Sequence, residues 1–151
     1  MSVKEGKFSI GIGAIIEHSR SGKILLLHRN PSIDFASDQW DDVGGRMRQF
    51  ETPEETLRRE VQEETGINNV KIVKPIDASY YFRGVKIADN EMIVITYWCK
   101  TTSDKIILST EHDDYRWVFP EEALSLIEDP PLKISLQRFI EEKSILSKIT
   151  E

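Results

Sequence analysis

Three glutamates near the middle of the chain are spaced so that their carboxylates could share one cation. On a helix that turns by about 100° per residue, Glu60, Glu63 and Glu64 fall on an arc about 100° wide. Like charges at these spacings repel each other, and Arg59 alone is too little to offset them. Carboxylate oxygens are ligands that Mg²⁺ and Mn²⁺ prefer. The spacing therefore indicates a divalent-metal site of the kind that acts on phosphate groups.

A glutamate and two glycines upstream belong to the same pattern. Glu51 stands one residue before the expected helix cap, where it can fold back toward Arg59 and form a two-pronged ion pair. Gly44 and Gly45 let the backbone come close to the glutamates, where it can offer a carbonyl oxygen. We therefore expect a loop and a helix that share one site.

The helix that carries the glutamates is predicted to run from Pro53 to Thr65. Thr52 can cap it, proline suits its first position, and Glu55 completes a capping box. Gly66 can take the left-handed conformation that often ends a helix. Two apolar side chains border the acidic arc and should face a core: Leu57 and Val61.

This segment resembles the Nudix box, the signature of the Nudix (MutT-like) hydrolases. Its fixed positions are all filled, by Gly45, Glu51, Arg59, Glu60, Val61, Glu63, Glu64, Gly66 and Ile67. Such a match arises by chance on the order of once in 10⁸ to 10⁹ starting positions. A solvated acidic helix is the alternative, but it explains neither the glycines nor the arginine. Phe50 departs from the family pattern, since glycine commonly precedes the box glutamate.

The resemblance implies Mg²⁺-dependent hydrolysis of a nucleoside diphosphate linked to another group, with Mn²⁺ as a second candidate metal. Its implied metal ligands are Glu60, Glu64, Glu63 and the carbonyl group of Gly44, with Glu51 and Arg59 as the supporting pair. The general base is left open between Glu63 and Glu111. His112, next to Glu111, is expected to be a surface residue.

Substrate choice depends on residues outside the box. Arg29 is a candidate phosphate ligand, with a surface salt bridge as the alternative. Phe35, Trp40 and Tyr81 are candidates for contact with a base, and packing is the alternative for each. Phe82 stands where members that cleave ADP-ribose often carry proline, and Tyr80 and Tyr81 come earlier than the tyrosine of members that cleave dinucleoside polyphosphates. Both departures favour a MutT-like nucleoside triphosphate pyrophosphatase over hydrolases of ADP-ribose, nucleotide sugars or dinucleoside polyphosphates. A catalytically silent nucleotide sensor is the alternative from another class.

The length, charge and cysteine content of the chain limit its possible domain organisation, partners and location. A chain of 151 residues with 39% hydrophobic and 30% charged residues suits a single domain over residues 1–151. A net charge of −6 without a basic run argues against nucleic acid or an anionic membrane as partner. Cys99 is the only cysteine and the start lacks an apolar run, so we expect a cytoplasmic protein. The expected partner is a small nucleotide, and a homodimer is compatible with the sequence.

The order of predicted elements indicates an α+β fold with a mixed sheet. Strands are expected over residues 8–17, 23–29, 70–73, 78–82, 91–100 and 115–118, with 91–100 as a central strand. A short helix begins at Pro120, and an amphipathic helix runs from Leu132 to about Leu146. Its expected buried side comprises Ile134, Phe139, Ile140 and Ile145. The family resemblance adds that the fold is an α/β/α sandwich in which the box forms a loop–helix–loop.

Overall fold

The computed structural model describes residues 4–33 and 35–150. Its strands are β1 (Ser9–His18), β2 (Ile24–Arg29), β3 (Trp40–Asp41), β4 (Val43–Arg46), β5 (Lys71–Phe82), β6 (Glu91–Thr101) and β7 (His112–Val118). Its α-helices are α1 (Pro53–Thr65), α2 (Pro120–Leu126) and α3 (Pro130–Thr150), and a 3₁₀ turn spans Ala88–Asn90. None of the helices in this part of the chain is long and apolar enough to cross a membrane.

The seven strands form one mixed sheet whose main path runs β3-β2-β1-β6-β5. β1 and β6 are parallel and stay in register from Ser9 opposite Met92 to His18 opposite Thr101. The same edge of β1 serves two partners: it meets β2 at Glu17 and β4 from Gly11 to Ala14. The sheet therefore forks beside β1, and β4 carries the two glycines into that fork.

Side chains alternate between two hydrophobic clusters, one on each face of the sheet. In β2, Leu25 and Leu27 join the cluster that contains α1, whereas Ile24 and Leu26 join the cluster that contains α2 and α3. Cys99 lies in the first cluster, as its apolar strand predicted. The result is the predicted α/β/α sandwich with a mixed central sheet.

Local sequence signals explain the bounds of α1. The backbone N–H of Glu55 donates to Oγ1 of Thr52 (3.2 Å), and Gly66 ends the helix with φ +76°. The capping box closes differently from expectation, because the Glu55 carboxylate accepts from the Thr52 hydroxyl rather than from a backbone N–H. Leu57 and Val61 are buried against the sheet, as predicted.

Two predictions about helices and strands were wrong in detail. On α3, Phe139 is buried and Ile140 is partly buried as predicted, but Ile134 and Ile145 are about half exposed (48% and 52%). The packed stripe of the helix follows Leu132, Leu136 and Phe139. The strands expected at 70–73 and 78–82 form one strand, β5. Two irregularities in its pairing with β6 flank Pro75, which cannot donate a ladder hydrogen bond.

Candidate active site

Two glycines of β4 allow close contacts that a side chain would block. A Cβ atom on Gly45 would lie 2.2 Å from the carboxyl carbon of Glu60, and one on Gly44 would lie 2.3 Å from the backbone oxygen of Ile12. The Gly44 N–H donates to Oε1 of Glu64 (2.8 Å). The missing side chain of Gly45 thus leaves space for the Glu60 carboxylate, whereas Gly44 lies close to β1 and holds Glu64 through its backbone N–H.

Arg59 fixes the loop before α1 to the helix. Its Nε donates to Oε2 of Glu51 (2.6 Å) and its Nη2 to Oε1 of Glu51 (2.9 Å), the predicted two-pronged pair. Nη2 also donates to the carbonyl oxygen of Arg46 (3.1 Å), and Nη1 contacts Oε1 of Glu60 (2.5 Å). The hydrogen bonds from Arg59 hold the pKa of Glu51 down at about 2.

The pKa values of Glu60 and Glu64, which lie beside the glycines, are shifted in the opposite direction from that of Glu51. Burial raises the pKa of Glu64 to about 9, opposed by the Gly44 hydrogen bond and reinforced by nearby Glu60 and Glu111. Burial also raises the pKa of Glu60, against the lowering effect of Arg59. Carboxyl groups that are hard to ionise in the bare protein are groups that a cation would stabilise as carboxylates.

Glu111 and His112 reach this cluster from the turn before β7 and from the first residue of β7. The register of β7 against β2 slips by one residue at His28 and Arg29, so the extra residue, Asp113, bulges out of the ladder. Ligand atoms of Glu64, Glu111 and His112 all lie within 4.8 Å of one another. The expectation that His112 is a surface residue was wrong: its side chain is 1% exposed, and burial lowers its pKa to about 4.

The donor set and its surroundings fit a divalent cation. Glu60, Glu64 and Glu111 repel one another, and Arg59 is already engaged with Glu51. Both ring nitrogens of the buried His112 lack a hydrogen-bond partner among the described residues. Carboxylate oxygens suit Mg²⁺ and Mn²⁺.

A cleft of about 950 Å³ opens from these glutamates across the sheet. It is lined by ten of the eleven residues expected at the site: Arg29, Phe35, Trp40, Gly44, Glu51, Arg59, Glu60, Glu64, Tyr81 and Glu111. Glu63 is the exception. Its side chain is 49% exposed and lies 3.4 Å from Arg59 and 3.8 Å from Arg48.

The three aromatic residues predicted to contact a base differ in how they pack. Phe35 lies edge-on to Tyr81, with ring centroids 6.1 Å apart, and the guanidinium of Arg83 covers its face at 5.0 Å. Arg29 supports this loop, since its Nε donates to the Phe35 carbonyl oxygen (3.1 Å). Trp40 packs against the cluster of α2 and α3 while one side still faces the cleft. Phe35 and Tyr81 are therefore better placed than Trp40 to touch a ligand.

Three further carboxyl groups line the cleft and were not predicted: Asp41, Asp42 and Asp129. Burial raises the pKa of each of them, and in Asp42 the neighbouring Asp41 adds to the effect. Asp41 and Asp42 could have been predicted at the cleft, because they stand next to the glycines in the sequence. No sequence feature indicates Asp129, because only the folding of α3 across the sheet brings it to the cleft.

Comparisons with known proteins agree with this geometry. The family model described as NUDIX domain matches residues 7–142. The asymmetrical bis(5'-nucleosyl)-tetraphosphatase of Rattus norvegicus is 31% identical over 118 residues, which cover 72% of this chain and 79% of that protein. The CTP pyrophosphohydrolase of Escherichia coli K12 is 31% identical over 113 residues, covering 75% and 77%. The crystal structure of a MutT protein from Methanosarcina mazei Go1 has a TM-score of 0.77 at 27% identity and covers 93% of this chain and 99% of that one. The chain therefore belongs to the Nudix hydrolase family.

Proposed function

We propose that this protein hydrolyses the pyrophosphate linkage of nucleoside triphosphates in a Mg²⁺-dependent reaction, as a MutT-like pyrophosphatase. The observation that carries the proposal is the meeting of Glu60, Glu64 and Glu111 at the end of a cleft that also holds Arg29 and Tyr81. Relatives named CTP pyrophosphohydrolase and nucleoside triphosphatase NudI support this substrate class.

Glu60 and Glu64 are the residues that would hold the metal ion, and the carbonyl of Gly44 stays a predicted further ligand. A bound divalent ion would neutralise phosphate charge and make a water molecule more acidic. Arg59 keeps Glu60 in place and ties the loop of Glu51 to α1, so the ligands are positioned before substrate arrives.

Glu111 is the proposed general base. It is exposed at the cleft and lies in the carboxylate cluster, whereas Glu63 lies outside the cleft and is paired with arginines. The attacking water passes its proton to Glu111 as its oxygen bonds to phosphorus, and the pyrophosphate leaves with the electron pair of the broken P–O bond. Glu111→Gln should therefore lower kcat more than Glu63→Gln.

The second candidate substrate is a dinucleoside polyphosphate, because the rat and mouse relatives bear the name bis(5'-nucleosyl)-tetraphosphatase. The silent nucleotide sensor is disfavoured, since every box carboxylate is present and Glu60, Glu64 and Glu111 meet at the cleft. The cytoplasmic location and the homodimer stay predictions.

Incubation with Mg²⁺ and a panel of nucleoside triphosphates, ADP-ribose, nucleotide sugars and dinucleoside polyphosphates tests the proposal. Release of pyrophosphate and a nucleoside monophosphate is expected. Glu64→Gln should lower kcat by about 10³-fold or more, since several kcal/mol of charge stabilisation depend on the ion. Full activity of this variant, or a wild type that cleaves none of the panel, would contradict the proposal.

A further inference from the structure

Phe50 has an unusual backbone conformation at the mouth of the cleft. Its φ is +70°, and its side chain is 96% exposed. It occupies the third position of a turn in which the Glu51 N–H donates to the Arg48 carbonyl oxygen (3.2 Å). That position favours glycine when φ is positive. The fold thus gains neither packing nor a relaxed backbone from this phenylalanine, which points to a role outside folding.

Other side chains at this end of the cleft suit a ligand that is both flat and anionic. We call this group the β4 rim: Phe8, Arg46, Met47, Arg48 and Phe50. Phe8 is nearly half exposed and both arginines are exposed. Exposed aromatic surface beside cations, in a chain of net charge −6, matches a base joined to phosphate groups.

The β4 rim is separate from the aromatic pair Phe35–Tyr81. β4 pairs with β1, β1 with β6, and β6 with β5, which carries Tyr81. Three strand spacings therefore separate β4 from β5, about 14 Å. A nucleotide whose base lies against Phe35 and Tyr81 leaves the β4 rim free for a second planar group.

We propose that the β4 rim is a subsite for the second nucleobase of a dinucleoside polyphosphate, with the ring of Phe50 stacked on that base. The inference rests on the proposed hydrolase function, takes up its second candidate substrate, and names the residues that would hold the second base. Stacking on an exposed ring needs no enclosing pocket, which agrees with the exposure of Phe50. The arginines of the rim lie beside the phosphate chain that leads to this base.

Equilibrium binding of methylene-bridged, non-hydrolysable analogues of diadenosine tetraphosphate and ATP, with Mg²⁺ present, tests the subsite. Phe50→Gly should weaken binding of the diadenosine analogue by about 5- to 150-fold, the range for loss of one stacked base. Binding of the ATP analogue should change by less than about two-fold. Phe50→Trp should retain the wild-type affinity for both, because it restores a stacking surface.

Two controls separate binding from folding. The urea midpoint of Phe50→Gly should equal or exceed that of the wild type, because glycine relaxes the positive φ. Tyr80→Ala removes an exposed aromatic ring outside the cleft and should change neither affinity. Equal effects of Phe50→Gly on both analogues, or no effect on either, would overturn the subsite. Failure of the wild type to cleave any nucleotide would instead reject the proposed function, while the two affinities would still decide this inference.

Discussion

Nδ1 of His112 lies 3.5 Å from Oε2 of Glu64, and both side chains are closed to solvent. The other oxygen of that carboxylate accepts the Gly44 N–H. Glu64 thus accepts a hydrogen bond from β4 on one side and lies against the imidazole of β7 on the other, without a hydrogen bond between the ring and the carboxylate. A carboxylate oriented in this way can present its remaining lone pairs to a cation without reorganising.

His112 should accordingly position Glu64 for metal binding. His112→Phe keeps a ring of similar size but removes both nitrogens, so Mn²⁺ affinity measured by calorimetry should fall about 10- to 100-fold. His112→Asn keeps a polar group near Nδ1 and should recover part of that loss. Unchanged Mn²⁺ affinity in a folded His112→Phe variant would show that the imidazole only fills space.

Replacing Gly44 or Gly45 by alanine should affect different properties of the protein. Gly44→Ala places a methyl group against the backbone of Ile12, which cannot move aside, so the free energy of unfolding should fall by about 1–3 kcal/mol. The methyl group of Gly45→Ala would first meet the carboxyl end of the Glu60 side chain, so it should displace that carboxylate. Its Mg²⁺ affinity and kcat should fall about tenfold or more, with a smaller loss of stability.

Urea denaturation and Mg²⁺ titration of both variants check this pair, each serving as the control for the other. Equal stability losses in the two would show that Gly45 is needed for backbone packing rather than for the position of Glu60.

Metal binding should release protons at neutral pH. Burial raises the pKa of Glu64 to about 9, so at pH 7.5 the metal-free carboxyl carries a proton that a cation must displace. Mg²⁺ affinity should therefore rise with pH up to about 9. Calorimetry at pH 7.5 in buffers of different ionisation enthalpy should report about one proton released per site. A binding enthalpy that is the same in every buffer would contradict the raised pKa.

The Glu51–Arg59 pair should stabilise the fold down to acid pH. The folded pKa of Glu51, about 2, lies below the ordinary glutamate value of 4.5, so its contribution is complete above pH 4.5 and disappears as pH falls toward 2. Glu51→Gln should be less stable than wild type at pH 7, and the difference should shrink between pH 4.5 and 2. Urea midpoints at pH 7, 4 and 2.5 measure this. A difference that is constant over that range would exclude an ionised Glu51 as its source.

Sequence reasoning succeeded where the determinants are local. The bounds of α1 follow from Thr52 and Gly66, and the contact of Arg59 with Glu51 follows from their spacing around a helix cap. Glu111 was identified through a family resemblance, and the structure places it beside Glu64.

Sequence reasoning failed where a residue depends on distant pairing. His112 is buried because of the slip between β7 and β2, which neither strand encodes alone. Asp129 reaches the cleft because α3 crosses the sheet, and Ile134 is exposed because that crossing selects another stripe of the helix. The burial and position of these residues depend on tertiary packing, which the local periodicity of the sequence does not specify.

β2 and β4 meet β1 at the fork, and the segment that follows each of them can vary in sequence without disturbing the core. The loop of residues 30–39 and the turn at 48–50 both border the cleft, yet their described residues belong to neither hydrophobic cluster. Mutations in these two segments can alter which molecules are accepted while the forces that fold the chain stay nearly the same. The architecture thereby uncouples selectivity from thermostability, and new preferences can arise without compensating changes in the interior.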